Sequence, residues 1–421
     1  MVVQVVESFT APGMMSSPGR RIVDADGIQL KFSDGRVALC ATSGLWNVPF
    51  GYGNTTVAEH MEQPLRSLHY GTLFRYSNDY ADRAAQLLVE AVGDSYQAVI
   101  FGTSGSALND AAVKFARQRA VLQGKAEKRI VVTFRGSYHG MTLSSMALSG
   151  ERLGQAAFSV DIRFVRHLSL DDPEEWEHFF ERFGNQVALV MLEPMLGSGV
   201  FEPTQAVLRK IAQLRDEYDF LLMADEVATG FYKLGTFAAS MQWPRMPDLI
   251  GFSKALTNGA AASSMLLVSE ESWSVFLEHD CPFMHGETQA GSPLSAAATI
   301  GVFDFMSQYE IEWHVQHVSE GIAATCANLE KQFHLAHRGR GLFHFLGWGD
   351  DAWWKAAAQD ASGDPIWHIV DSFREHGVVV QPSIHGIQII PQIVTTDAEM
   401  CQIGQALSET FEQLERSRPW K

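Results

Sequence analysis

Two apolar runs in this chain end on groups that carry charge. In "FLLMADEVATGF" (220–231), apolar residues from Phe220 to Ala224 lead to Asp225 and Glu226. In "PDLIGFSKALTNG" (247–259), a shorter run leads to Lys254. A carboxylate at the end of a buried strand costs several kcal/mol of desolvation unless a cation or strong donors compensate. A protonated ring nitrogen would be such a partner. A lysine in the same kind of place is poorly solvated. That favours the neutral amine, a nucleophile toward an aldehyde. Two more stretches carry chemistry. "GTSGSALND" (102–110) joins a strand to a helix, and free amides with hydroxyls at a helix start suit a phosphate. "RGSYHGMT" (135–142) follows a strand with an aromatic and an imidazole that can stack on a flat ring.

Each stretch alone also fits an ordinary role. Asp225 could cap a helix or pair with an Arg, Lys254 could be a solvated lysine, and the Gly-Ser loop could be a plain N-cap. The loop lacks the Gly-Lys-Ser/Thr ending of a Walker A loop and the GxGxxG dinucleotide pattern. Taken together, a phosphate cradle, a stacking aromatic, an acid and a lysine are the parts that hold pyridoxal phosphate.

The elements that must position these groups are legible as alternation. "AVIFG" (98–102), "RIVVTF" (129–134), "VALVMLEP" (187–194), "FLLMA" (220–224), "DLIGFSK" (248–254) and "SSMLLVS" (263–269) read as strands. Helical patterns at 106–121 and 204–219 separate them. Continuous apolar strands between helices predict an α/β domain with a mostly parallel sheet covered on both faces. Ligands of such sheets sit beyond the carboxyl ends of the strands, where Asp225, Glu193 and Lys254 all fall. The C-terminal stretch holds helical patterns near 293–308 and 311–333 and a strand-like pair at "GVVVQP" and "GIQIIP". It reads as a smaller α+β domain joined by an N-terminal hairpin, "GIQLKFSDGRVALCATSG". The expected organisation is an N-terminal segment over 1–55, a large domain over 56–295 and a small domain over 296–421.

Length and composition set the class. The chain has 421 residues, 46% hydrophobic and 19% charged, as a well-packed two-domain enzyme would. A net charge of −17 argues against nucleic acid or an anionic membrane as the main partner. Cys40, Cys281, Cys326 and Cys401 form no CxxC pair, which fits free thiols in a reducing compartment. The N-terminus "MVVQVVESFT" lacks a basic n-region, and no window has the length to span a bilayer. A cytoplasmic location is expected.

The order and spacing of these motifs resemble the class III, or ω-, aminotransferases with the type I pyridoxal-phosphate fold. The resemblance runs from "SGLWNVPFGYGN" (43–54) to "PQIVTTD" (391–397). Its most specific part is "ADEVATGF" followed by "SKALTNG", with 29 residues from Asp225 to Lys254. "HGETQAGSP" (285–293) looks like the family's His-Gly-x-Thr segment. The resemblance implies a large domain with a mostly parallel seven-stranded sheet and a ping-pong transfer of an amino group. It implies that Lys254 binds the cofactor aldehyde and Asp225 its pyridinium nitrogen. Val227 would pack on one ring face and Tyr138 on the other, with His139 beside it. Gly105 and Ser106 would hold the phosphate. Thr288 would reach it from the partner subunit of a homodimer. Glu193 would join the polar network, and Trp46 and Tyr52 would line the substrate pocket.

Two positions depart from the family. Many relatives carry an Arg ahead of their Pro-Pro-Leu segment to clamp a substrate carboxylate, and here that position is Gln381. An amide offers neither the charge nor the bidentate fork of Arg. Gln289 stands where an aromatic usually follows the Thr. Either another cation, Arg75 or Arg340, does the clamping, or the acceptor is a ketone or aldehyde without a nearby carboxylate, as in a biosynthetic intermediate. Other reactions on this fold remain open as alternatives: an aminomutase, a decarboxylating transaminase or a racemase. A non-enzymatic relative would not need both Lys254 and Asp225. A nicotinamide dehydrogenase would need the missing GxGxxG.

Overall fold

A computed structural model describes residues 5–15, 17–348, 365–383 and 385–416. The chain forms two compact units. One comprises residues 1–54, 317–338 and 342–421, and the other residues 55–316 with 339–341. The first unit therefore has a discontinuous chain.

That unit opens with three antiparallel strands, β1 (Ile22–Asp26), β2 (Gln29–Phe32) and β3 (Val37–Cys40). A tight stretch follows in which Ser43, Gly44, Leu45 and Trp46 all take positive φ.

The large unit carries seven strands: β4 (Tyr96–Gly102), β5 (Ile130–Phe134), β6 (Val165–Leu168), β7 (Val187–Leu192), β8 (Leu221–Asp225), β9 (Leu249–Phe252) and β10 (Ser264–Ser269). Their order in the sheet is β4-β10-β9-β8-β7-β5-β6. Strands β6, β5, β7, β8 and β9 run parallel, and β10 is antiparallel to both of its neighbours. Side chains alternate between two cores. On one face Leu189, Met191, Leu221 and Met223 pack with Leu108, Phe115 and Phe276. On the other Val190, Leu192 and Leu222 pack with Trp176, Phe180 and Ile211. Burial on both faces explains why these strands are near-continuous apolar runs.

The sequence reading ended this unit near residue 295, whereas the structure carries it to Gln316. The helix Pro293–Gln308 is apolar almost all round and packs on the helices Thr55–Arg66 and Asp79–Val92. A helix without a polar face is a buried helix of the larger core.

The remaining strands complete the first unit: β11 (Ala336–Arg340), β12 (Phe343–Gly347), β13 (Val378–Val379), β14 (Gln381–Ser383) and β15 (Gly386–Ile389). Strand β13 adds in parallel to β3, and β11-β12-β15-β14 form a separate sheet. Their core joins Ile28, Leu39 and Ala41 to Cys326, Phe373, Ile387 and Phe411.

Candidate functional site

Asp225 is the last residue of β8 and is only 3% exposed. Its Oδ2 accepts from Asn109 Nδ2 at 2.8 Å and faces His139 Nδ1 at 2.8 Å. Its Oδ1 accepts from the Val227 backbone N–H at 3.1 Å. These donors offset the desolvation that a lone buried carboxylate would suffer. Asn109 sits on the helix Gly105–Leu122 and also donates to the His139 carbonyl at 2.8 Å. It therefore locks the Tyr138-His139 loop against the strand end. His139 is 2% exposed, and its Nε2 meets no hydrogen-bond partner among the described residues.

Glu193 follows the neighbouring strand β7. It accepts from the backbone N–H groups of Tyr138 at 2.9 Å and Gly197 at 3.0 Å. Burial pushes its carboxyl up to about 7; His139 draws it down and Asp225 raises it further. Lys254 stands beyond the end of β9, which pairs with β8 at Asp225–Gly251. It begins a 3-10 turn with φ of 48°, a left-handed conformation that a residue with a Cβ adopts only under constraint. Burial lowers its amine pKa, while Asp225 and Glu193 act in the opposite direction. The three titratable groups thus sit in one electrostatic neighbourhood.

The helix beginning at Gly105 is capped by Ser104, whose Oγ accepts from Ala107 N at 3.2 Å. The N–H groups of Gly105 and Ser106 find no acceptor among the described residues, as the first turn of a helix leaves them. A Cβ at Gly105 would lie 2.9 Å from Val227 Cγ1. The helix start can approach Val227 this closely only as glycine. Ser106 Oγ accepts from Met141 N at 3.2 Å, and Tyr138 lies half-exposed nearby in the same loop.

The segment 285–292 reaches the same helix start through Glu287. Its carboxylate takes the Thr103 backbone N–H at 3.1 Å and the Thr103 hydroxyl. Thr288 is exposed, with its carbonyl accepting from Tyr70 Oη at 3.0 Å. Within the chain, then, the structure brings together Asp225, His139, Glu193, Tyr138, Val227, Gly105, Ser106 and Lys254. Thr288 points to the surface. Trp46, Tyr52 and Gln381 belong to the other unit. There Trp46 stacks on Phe343 with centroids 6.4 Å apart, Tyr52 Oη lies 3.6 Å from Cys40 Sγ, and Gln381 opposes Gln388 across β14 and β15.

Asn109 was not singled out in the sequence, although it lies inside the Gly-Ser loop stretch. An Asn in a helix normally reads as a surface residue. Only its position on the sheet-facing side marks it. A second group is equally silent in the sequence. Glu226 is buried and accepts from the Ser240 N–H and hydroxyl, both at 2.7 Å, and from the Thr229 hydroxyl. Lys233 is fully buried, with no hydrogen-bond partner for its Nζ among the described residues.

These residues fit pyridoxal phosphate on three observations. A buried acceptor, Asp225, suits a ring N–H. Two unpaired N–H groups at a helix start suit a phosphate. An amine held below its ordinary pKa suits an aldehyde.

The family model for class-III aminotransferases matches residues 13–411. A β-alanine–pyruvate aminotransferase of Pseudomonas aeruginosa is 27% identical over 71% of this chain and 72% of its own length. A diaminobutyrate–2-oxoglutarate transaminase of Halomonas elongata is 30% identical over 67% of this chain and 66% of its own. Among solved structures, the pyridoxamine-phosphate-bound aminotransferase of Vibrio fluvialis superposes with a TM-score of 0.88, covering 98% of this chain and 97% of that one at 22% identity.

Proposed function

The chain belongs to the class-III aminotransferases, and on that premise we propose which of its residues carry the transfer, and what kind of acceptor it takes. It moves an amino group from an amine donor to a keto acceptor with pyridoxal phosphate. When bound, that cofactor supplies an aldehyde for the donor amine and a ring that draws electrons from the substrate carbon.

The chain's own part rests chiefly on one observation, the buried Asp225 with its Asn109, His139 and Val227 contacts. Asp225 holds a proton on the ring nitrogen, and Asn109 and His139 keep its carboxylate aimed. Lys254 fixes the cofactor through its amine and, once released by the donor, moves the proton at the substrate carbon. The Gly105 and Ser106 N–H groups hold the phosphate. Val227 and Tyr138 pack the two ring faces. Glu193, tied to the Tyr138 backbone, keeps that loop in place.

The working form is a homodimer. Thr288, exposed in the single chain, reaches the phosphate of the partner's site. The same surface supports this reading. Phe74 is 53% exposed, Tyr76 75% and Met284 69%, while the Phe74 ring packs under Gly286. Exposed aromatics clustered on one segment mark an interface. Thr288→Val should leave the dimer intact and weaken retention of the cofactor on dilution. Sedimentation of a fully active monomer would refute the shared site. A cytoplasmic location accords with the free thiols Cys40, Cys281, Cys326 and Cys401. Among the described residues no helix is long and apolar enough to cross a membrane.

The acceptor is a ketone or aldehyde without a carboxylate beside the carbonyl, such as a larger biosynthetic intermediate. Gln381 supports this, since it supplies no charge. Arg340 is already engaged by Glu202 at 2.8 Å. Gln381→Arg should improve use of simple keto acids by about 10- to 100-fold, the worth of a charge-assisted contact. It should weaken use of the neutral acceptor, because an unpaired guanidinium in a desolvated pocket is costly. Each half-reaction is followed separately by the cofactor's absorbance. Wild-type enzyme taking pyruvate or 2-oxoglutarate as fast as a neutral carbonyl compound would overturn the assignment.

A further inference from the structure

We propose that Cys326, His337 and His344 form a binding site for one borderline transition-metal ion of the zinc type, serving as a structural tie within the first unit. The three side chains belong to different elements. Cys326 lies on the helix Ile311–Phe333, His337 on β11 and His344 on β12. One ligand atom from each falls within 4.8 Å of the other two. His337 Nε2 and His344 Nδ1 are 3.0 Å apart. Two nitrogens on a tetrahedral zinc lie about 3.3 Å apart, given bonds of about 2.0–2.1 Å. The imidazoles therefore need to separate by only a few tenths of an ångström to admit the ion.

The chemistry of the set points the same way. One thiol and two imidazoles suit zinc and its neighbours, not the hard cations magnesium and calcium. Cys326 is fully buried and His344 is 2% exposed, whereas His337 retains access to solvent. The cluster thus has shielded ligands and an entry path. A fourth group also fits. Glu330 is one helical turn beyond Cys326, on the same helix face. Its Oε2 lies 3.8 Å from His337 Nδ1, the nitrogen turned away from the cluster. A carboxylate behind the non-ligating nitrogen fixes the tautomer and orientation of a metal-bound histidine. The helix therefore offers both a ligand and the group that aims the next ligand. Metal entry expels the thiol proton, so each ion bound releases one proton to solvent.

The site is separate from the proposed roles of Asp225, Lys254 and Gln381, and its test does not use turnover. The cofactor-loaded dimer is stripped with a chelator, dialysed and titrated with Co²⁺. The expected result is saturable uptake of one ion per chain with a thiolate-to-cobalt charge-transfer band, displaced by Zn²⁺. Because the cofactor can itself take up metal, cofactor-loaded Cys326→Ser is the reference, and it should lose the band. Glu330→Ala, at a half-exposed position, should keep the band and weaken affinity by about 10- to 100-fold. It serves also if Cys326→Ser does not fold. Equal Co²⁺ uptake by wild type and Cys326→Ser overturns the proposal. So does unchanged affinity in Glu330→Ala, or wild-type protein with no saturable uptake.

Discussion

Lys254→Ala is expected to lower turnover by at least about 10⁴-fold, since it removes both the group that fixes the cofactor and the one that moves the substrate proton. The protein should still bind cofactor, because the Asp225 contacts and the helix start at Gly105 remain. Borohydride should attach the cofactor to wild-type protein and leave it dialysable from the variant. Peptide mapping of the reduced wild-type protein should find the adduct on Lys254. An adduct on Lys233, the other fully enclosed lysine of this unit, would reassign the nucleophile.

Asp225→Asn is expected to cost about 10²–10³-fold in turnover, the worth of one preorganised electrostatic contact in a dry site. The change keeps the shape of the side chain, so the Val227 N–H and Asn109 contacts can persist in part. What is lost is the negative charge that holds a proton on the ring nitrogen. A purely structural Asp225 would show itself as reduced thermal stability with near-normal turnover of the folded fraction. The expected pattern is the opposite: a folded, cofactor-loaded protein with a shifted visible band and slow chemistry. Measuring both half-reactions should show the defect in each, since both require the ring to draw electrons.

Much of this arrangement is legible in the sequence because the large sheet is buried on both faces. Val187–Leu192 and Leu221–Asp225 admit no polar residue until their carboxyl ends. The first polar group after such a run is displayed where ligands of open sheets bind. Asp225, Glu193 and Lys254 can be picked out on that logic alone. Edge strands give no such signal. β6 reads "VRHL" with alternating exposure, and β1 is exposed along nearly its whole length. Asn109 and the Glu226–Ser240 contacts are silent because their roles depend on which way a helix and a turn face. The placement of the helix Pro293–Gln308 was equally hidden, since its apolar sequence fits either unit until its packing partners are known.

The pairing of β3 with β13 sets a constraint on how this protein is made. Leu39 lies opposite Val378, so one edge of the first sheet waits for a strand near the other end of the chain. During synthesis the whole large unit emerges from the ribosome between these two strands. Until then Ile28, Leu39 and Ala41 lack the partners Phe373, Ile387 and Phe411. Contacts this distant in sequence close late, because the loop-closure entropy must be met before the pairing gives anything back. The nascent N-terminal hairpin is thus an unpaired β edge for most of translation, the kind of surface that chaperones shield and that aggregates when they do not.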